Sequence, residues 1–83
     1  MIFKASIVVM PLEALLDPQG KAVTGSMKNI GLPEIQNVRI GRHITLTVDA
    51  ENAEQADAKV NEACSKLLAN PIMEYYRFTI EKA

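Results

Sequence analysis

The sequence predicts an α+β domain whose elements follow the order β-α-β-β-α-β. Three patterns predict it: an alternating apolar run at the N-terminus, a helical apolar stripe after Asn52, and another alternating run near the C-terminus. Right-handed crossovers then give a four-stranded antiparallel sheet with both helices on one face, the ferredoxin-like plait. A length of 83 residues suits one such domain, so we expect residues 1–83 to form a single domain.

The first strand is expected from Ile2 to Met10, where alternate residues are apolar. Both faces of this strand carry apolar side chains, which indicates a central strand with neighbours on both sides. Pro11 lacks an amide donor, so pairing should end there.

The first helix is expected from Pro18 to about Ile30. Asp17 has the short acceptor side chain of an N-cap, and Pro18 suits the first helical position. Val23, Met27 and Ile30 form an apolar stripe, and Gly31 is a C-terminal stop.

Two strands, Ile35 to Ile40 and Ile44 to Asp49, are expected to form a hairpin around Gly41. Keeping the apolar residues of both strands on one face requires an odd loop length. We therefore expect a three-residue loop with Gly41 at positive φ.

The second helix begins after Asn52, with Gln55 at the capping-box position. Asn70 and Pro71 should end this helix, and a last strand should run from about Met73 to Glu81. The helix carries a complete apolar stripe, namely Ala56, Val60, Ala63, Cys64 and Leu67.

Composition excludes several classes of function. The net charge is −1, which argues against a nucleic-acid binder, and the predicted open face of the sheet lacks the aromatic residues that stack on RNA bases. A single cysteine excludes an internal disulfide and a cysteine-rich metal site, in keeping with a cytoplasmic location. The N-terminal apolar run is too short to span a bilayer, so no membrane association is expected.

The residues show no catalytic set and no metal site. His43 has no partner at a telling spacing, Cys64 lies on a buried helix stripe, and Gly20-Lys21 lacks the rest of a phosphate loop. Tyr75 is expected on the open face of the sheet, where tyrosine favours interfaces. An interaction module is the best reading of the residues alone.

Three segments together resemble the PurS family, the small subunit of phosphoribosylformylglycinamidine synthase. They are Leu16-Asp17-Pro18-Gln19-Gly20, Val38-Arg39-Ile40-Gly41-Arg42 and Cys64-Ser65-Lys66-Leu67-Leu68-Ala69-Asn70-Pro71. The resemblance implies a non-catalytic homodimer or higher homo-oligomer that joins a glutaminase subunit to a large synthetase subunit and supports ammonia transfer between them. It also implies that this chain binds no cofactor, while its partners use ATP, Mg and glutamine.

The interface candidates are the residues of the matching motifs together with Tyr75: Asp17, Pro18, Gln19, Gly20, Arg39, Gly41, Arg42, Asn70, Pro71 and Tyr75. Caps and turns account for Asp17, Gly41, Asn70 and Pro71. The predicted fold gives no reason for Gln19, Gly20, Arg39 and Arg42. We therefore expect Gly20→Ala to leave the isolated domain at least as stable while weakening assembly.

Two alternatives share this topology. A regulatory module that binds small molecules would be stabilised by its ligand, although no sequence feature indicates one. A hydrolase of the acylphosphatase kind would need an arginine in the first loop, and residues Pro11 to Gly20 contain none.

Overall fold

The computed structural model describes residues 1–13 and 17–83, and within them three strands form one antiparallel sheet. Strand β1 spans Ile2–Pro11, β2 spans Arg42–Asp49 and β3 spans Glu74–Lys82. Their order is β2-β1-β3, so the predicted central place of the first strand is confirmed.

Two α-helices have the predicted places in the chain. Helix α1 spans Pro18–Met27 and continues as a 3-10 turn, Lys28–Ile30, which Gly31 ends in the left-handed region at φ 83°. Helix α2 spans Ala53–Ala63 and continues as a π-helical turn, Cys64–Leu68.

The start of α2 is fixed by two reciprocal side-chain bonds. The Asn52 side-chain oxygen accepts a hydrogen bond from the Gln55 amide at 2.8 Å, as predicted. The Gln55 side-chain oxygen in turn accepts from the Glu51 amide at 2.8 Å, one residue before the usual capping-box donor.

The core lies between α2 and one face of the sheet. On that face, Ile7 stands opposite Ile44 of β2 and Phe78 of β3, as the predicted alternation requires. The alternate residues of β1 meet the helix stripe, and the buried set is Phe3, Ala5, Ile7, Val9, Ala50, Ala56, Val60, Cys64 and Ala69.

The predicted fourth strand is wrong. Residues 35–40 belong to no strand, and Asn37 adopts φ 58°, a left-handed conformation that breaks an extended run. The amides of Val38 and Ile40 donate instead to side chains of Thr24 and Asp17. Gly41 is not at positive φ, so the predicted hairpin loop is wrong as well.

The prediction that both helices cover one face of the sheet is also wrong, because only α2 does so. Helix α2 packs against all three strands, whereas α1 packs mainly against the 3-10 turn that continues it. No helix in residues 1–13 and 17–83 is long and apolar enough to cross a membrane.

Candidate functional site

Three segments that are distant in sequence meet at one end of the sheet. They are the start of α1, the stretch leading into β2, and the start of β3. Together they border a groove of about 480 Å³. Its lining residues are Pro11, Asp17, Pro18, Gln19, Ile40, Gly41, Arg42 and Glu74.

Asp17 connects the first two segments. Its carboxylate accepts hydrogen bonds from the Gly20 amide at 3.0 Å and from the Ile40 amide at 3.1 Å. The guanidinium Nε of Arg39 lies 3.6 Å from the same carboxylate. The hydrogen bond from the Gly20 amide lowers the pKa of Asp17 the most. The hydrogen bond from the Ile40 amide and the Arg39 charge lower it further, so the pKa of Asp17 lies below its ordinary value.

Pro18 occupies the first turn of α1, and Asp17 before it is extended, as the capping prediction required. Leu16, the first residue of this motif, lies outside the described residues. The N-cap role of Asp17 is therefore confirmed, and its second bond to Ile40 adds a tertiary role that spacing alone did not predict.

Gly20 has a structural role, contrary to the prediction. It is buried, and a Cβ placed on it would collide with the carbonyl oxygen of Val38 and with the Asp17 carboxylate. Only a residue without a side chain lets α1 approach this backbone so closely. The expectation that Gly20→Ala preserves the stability of the isolated domain is therefore wrong.

Arg39 binds the end of β1 and the loop that follows it. Its Nη2 donates to the carbonyl oxygens of Pro11 at 3.0 Å and Leu12 at 2.9 Å, and Nη1 donates to that of Glu13 at 3.4 Å. The Nε–H is buried and has no hydrogen-bond partner within the described residues. Arg39 thus has a structural role, in holding the end of β1 and the loop after it, that the sequence did not reveal.

Gly41 allows the chain to pass close to β1. A Cβ at this position would collide with the Val9 carbonyl oxygen and the Met10 sulfur. The glycine is needed for close approach rather than for positive φ.

Arg42 and Glu74 form the third connection. The guanidinium donates to both carboxylate oxygens, at 2.8 and 3.0 Å, and also to the carbonyl oxygen of Leu68 at 3.0 Å. The Arg42 bonds, followed by a bond from the Asn70 amide at 2.8 Å, lower the pKa of Glu74. Arg42 therefore fastens the end of the π-helical turn to the sheet.

Asn70 and Pro71 form the turn after this π-helical segment. The Asn70 side-chain oxygen accepts from the Ile72 amide at 3.0 Å, and its carbonyl accepts from the Glu74 amide at 2.7 Å. Pro71 is exposed. The helical segment ends before them, at Leu68 with Ala69 as its C-cap, so Asn70 and Pro71 form the following turn and the predicted C-cap role is wrong.

Gln19 and Tyr75 differ from the other candidates. The Gln19 side chain is exposed at the groove and makes no hydrogen bond to a described side chain or backbone group. Tyr75 is 45% exposed and stands opposite Met10 on the open face, so it does not line the groove. The fold accounts for neither side chain.

Two residues of the site were missed at the level of sequence. The Glu74 carboxylate accepts a hydrogen bond from Arg42. The Thr24 hydroxyl accepts a hydrogen bond from the Val38 amide at 3.0 Å and donates one to the Gly20 carbonyl oxygen at 2.8 Å. Both act across long stretches of chain, so no local spacing marks them.

The described residues show little sign of a metal-binding site or of a reactive nucleophile. Within residues 1–13 and 17–83, no three His, Cys, Asp or Glu side chains gather as a metal site. Cys64 is fully buried, and burial raises the pKa of its thiol. The groove is a shaped surface of paired charges, which suits contact with another protein.

Comparisons with known proteins give one family. The family model for PurS, described as Phosphoribosylformylglycinamidine (FGAM) synthase, matches residues 4–82. The phosphoribosylformylglycinamidine synthase subunit PurS of Bacillus subtilis is 38% identical over 81 residues, which cover 98% of this chain and 95% of that protein.

Solved structures agree. Bacillus subtilis PurS matches with a TM-score of 0.86 and 39% identity, covering 96% of this chain and 99% of that one. A chain in the structure of PurLQS from Thermotoga maritima matches with a TM-score of 0.88 and 32% identity, covering 98% of this chain and 99% of that chain.

Proposed function

We propose that this chain, which belongs to the PurS family, is an assembly subunit of a phosphoribosylformylglycinamidine synthase. Its contribution is a shaped surface, and the catalytic side chains belong to its partners. The reaction is the ATP- and glutamine-dependent amidation of formylglycinamide ribonucleotide in purine biosynthesis.

The observation that carries this proposal is the convergence of the family's motif segments on one groove. Residues of the first and second motifs line it, and the end of the third motif binds Glu74 at its edge. Most of these side chains are held by bonds within the chain, so the groove is formed before any partner arrives. A preformed surface loses little conformational entropy on association.

Charge favours a protein partner over a phosphate ligand. The two acids at the groove face two arginines: Asp17 lies near Arg39, and Glu74 binds Arg42. The charges therefore cancel in pairs, whereas an anion site would present excess positive charge. The uncharged Gln19 amide is exposed beside them and can both donate and accept hydrogen bonds.

The proposed partners are a glutaminase subunit and a large synthetase subunit, joined by this chain as a homodimer or higher homo-oligomer. The likeness to a chain of the Thermotoga maritima PurLQS structure supports this arrangement. In this proposal the chain binds no cofactor, its partners use ATP, Mg and glutamine, and the complex acts in the cytoplasm and supports the transfer of ammonia.

Gln19→Ala tests the groove directly. The variant is expected to bind the two partner subunits at least tenfold more weakly, because a partner that bonds the amide loses that bond. Gln36→Ala is the matched control, since Gln36 is also exposed but lies outside the groove. Titration calorimetry with the purified partners gives both affinities.

Equal affinities for the wild type and both variants would remove the groove from the interface. A glutaminase and a synthetase that associate equally well without this chain would contradict the proposed function itself.

A further inference from the structure

Strand β3 forms a long open edge of the sheet. It spans Glu74–Lys82 and pairs with β1 alone, because the strand order is β2-β1-β3. Its pairing with β1 runs from Lys82 to Glu74 without a bulge, and the strand contains no proline. Bulges and prolines are common means of protecting an edge from other strands. The edge of β3 is therefore regular enough to pair with a further strand.

The ladder between β1 and β3 fixes which backbone groups of β3 point outward. At its two ends, the Leu12 amide donates to the Met73 carbonyl oxygen at 2.9 Å, and the Ala83 amide donates to that of Ile2 at 3.0 Å. Bonded and non-bonded pairs alternate along an antiparallel ladder. The odd-numbered residues of β3 therefore bond to β1, and the even-numbered ones direct their amides and carbonyl groups away from it. The central outward residues are Tyr76, Phe78 and Ile80.

These outward backbone groups have no partner in the described part of the chain. Outside the strand ladders, no hydrogen bond within residues 1–13 and 17–83 involves the amide or carbonyl oxygen of Tyr76, Phe78 or Ile80. The edge of β2 differs, because its outward Asp49 carbonyl oxygen accepts a hydrogen bond from the Lys59 side chain at 2.9 Å. The β3 edge thus offers the row of donors and acceptors to which an extended peptide binds.

Apolar side chains line one face of the β3 edge. Tyr76, Phe78 and Ile80 pack against the core but are only half-buried. The Tyr76 and Phe78 rings stack with their centres 6.4 Å apart, and the Tyr76 hydroxyl donates to the Asn61 side-chain oxygen at 2.7 Å. Because these side chains are held in place, apolar residues of an added strand could pack beside them as cross-strand neighbours.

Arg77 places a positive charge on the opposite face of the same edge. Its side chain is exposed, and the residue stands opposite Val8 of β1. Arg77 forms no ion pair within residues 1–13 and 17–83. An acidic residue directly across from Arg77 on an added strand would form a favourable cross-strand pair.

A second copy of β3 does not supply this acid. Both acidic residues of β3 already face a basic residue of their own chain: Glu74 binds Arg42, and Glu81 stands opposite Lys4. We propose that the β3 edge receives an extended segment of a partner subunit, in which apolar residues alternate with polar ones and an acidic residue lies beside Arg77. This segment adds a strand to the sheet.

This inference deepens the proposed function and rests on it, because it names the edge through which the chain joins a glutaminase or synthetase subunit. Hydrogen exchange at single amides tests it, on the full chain alone and after mixing with each purified subunit. In the chain alone, the outward amides of Tyr76, Phe78 and Ile80 should exchange rapidly, and those of Arg77 and Thr79 slowly. One of the two subunits should slow the outward amides by about tenfold or more.

Two pairs of variants separate strand pairing from a loss of packing. Ile80→Pro and Ile80→Ala both reduce the apolar side chain, but only proline also removes the outward amide. Ile80→Pro should therefore bind the subunit about fivefold more weakly than Ile80→Ala. Arg77→Gln should bind about fivefold more weakly than the wild type and changes only an exposed side chain. Lys4→Gln is its control and should bind like the wild type, because Lys4 lies on the central strand.

The outcomes distinguish this inference from the proposed function. Outward amides that still exchange rapidly in a complex, or equal binding by Arg77→Gln and Lys4→Gln, would overturn the inference and leave the proposed function standing. Slow exchange of the outward amides in the chain alone would also overturn it, because a second copy would then fill the edge. Failure of the chain to bind either subunit would contradict both.

Discussion

Glu74 accepts two hydrogen bonds from Arg42, at 2.8 and 3.0 Å, across 32 residues of sequence. The glutamate side chain is 17% exposed and the arginine 52% exposed. The pair joins the start of β2 to the start of β3 on opposite sides of the central strand. Both side chains also line the groove.

Glu74→Ala is expected to destabilise the chain more than Arg42→Ala. Removing the carboxylate takes the acceptor from the Asn70 amide and leaves the guanidinium with only the Leu68 carbonyl oxygen, at a cost of about 0.5–1.5 kcal/mol in the free energy of unfolding. Urea unfolding of both single variants and the double variant gives the coupling energy. Equal effects of the two single variants would contradict the assigned role of Glu74.

Gly20→Ala and Gly25→Ala are expected to have opposite effects on stability. At Gly20 a Cβ meets the Val38 backbone, and the resulting overpacking costs about 1–3 kcal/mol. At Gly25, on the same helix, a Cβ has open space, and alanine should stabilise by up to about 1 kcal/mol. Urea midpoints at one protein concentration compare them, and a stabilising Gly20→Ala would contradict the observed packing.

Stability is expected to fall in acid through two carboxyl groups. Folding lowers the pKa of Asp17 below 3.8 and that of Glu74 below 4.5, so both bind fewer protons in the folded chain. Their stabilisation is complete above those values and is lost as the pH falls through the lower folded pKa values. Glu74→Gln should lose less stability between pH 5 and pH 3, and parallel curves would contradict this account.

Cys64 is expected to resist thiol reagents in the folded chain. Its side chain is fully buried, and the raised pKa keeps the thiol protonated and unreactive. Ellman's reagent should react at least a hundredfold faster in urea than in buffer. Similar rates in both would show that the helix stripe opens readily.

The elements that the sequence predicted well are those fixed by their own side chains. The alternation of β1 and most of the stripe of α2 bury apolar residues, so the faces of these elements followed from local pattern. The same holds for the caps at Asp17 and Asn52. Two details were wrong: Leu67 of the predicted stripe is 82% exposed, and β1 pairs with β3 as far as Pro11.

The failures concern contacts between segments. The sequence of residues 35–40 suits a strand, but a strand forms only where a neighbouring strand pairs with it. Here the amides of Val38 and Ile40 donate hydrogen bonds to the side chains of Thr24 and Asp17 instead. The purpose of Gly20 and Arg39 was missed because the Val38 backbone and the carbonyls after β1 approach only in the folded chain. Gln19 remains a predicted interface residue that the fold does not explain.

The most direct measurement of the central claim is amidation of formylglycinamide ribonucleotide by a synthetase and a glutaminase, with and without this chain. We predict that the glutamine-driven rate falls at least tenfold without the chain, while the rate with ammonium salts is kept, because the chain assembles the complex and supplies no catalytic side chain. An undiminished glutamine-driven rate without the chain would contradict the account.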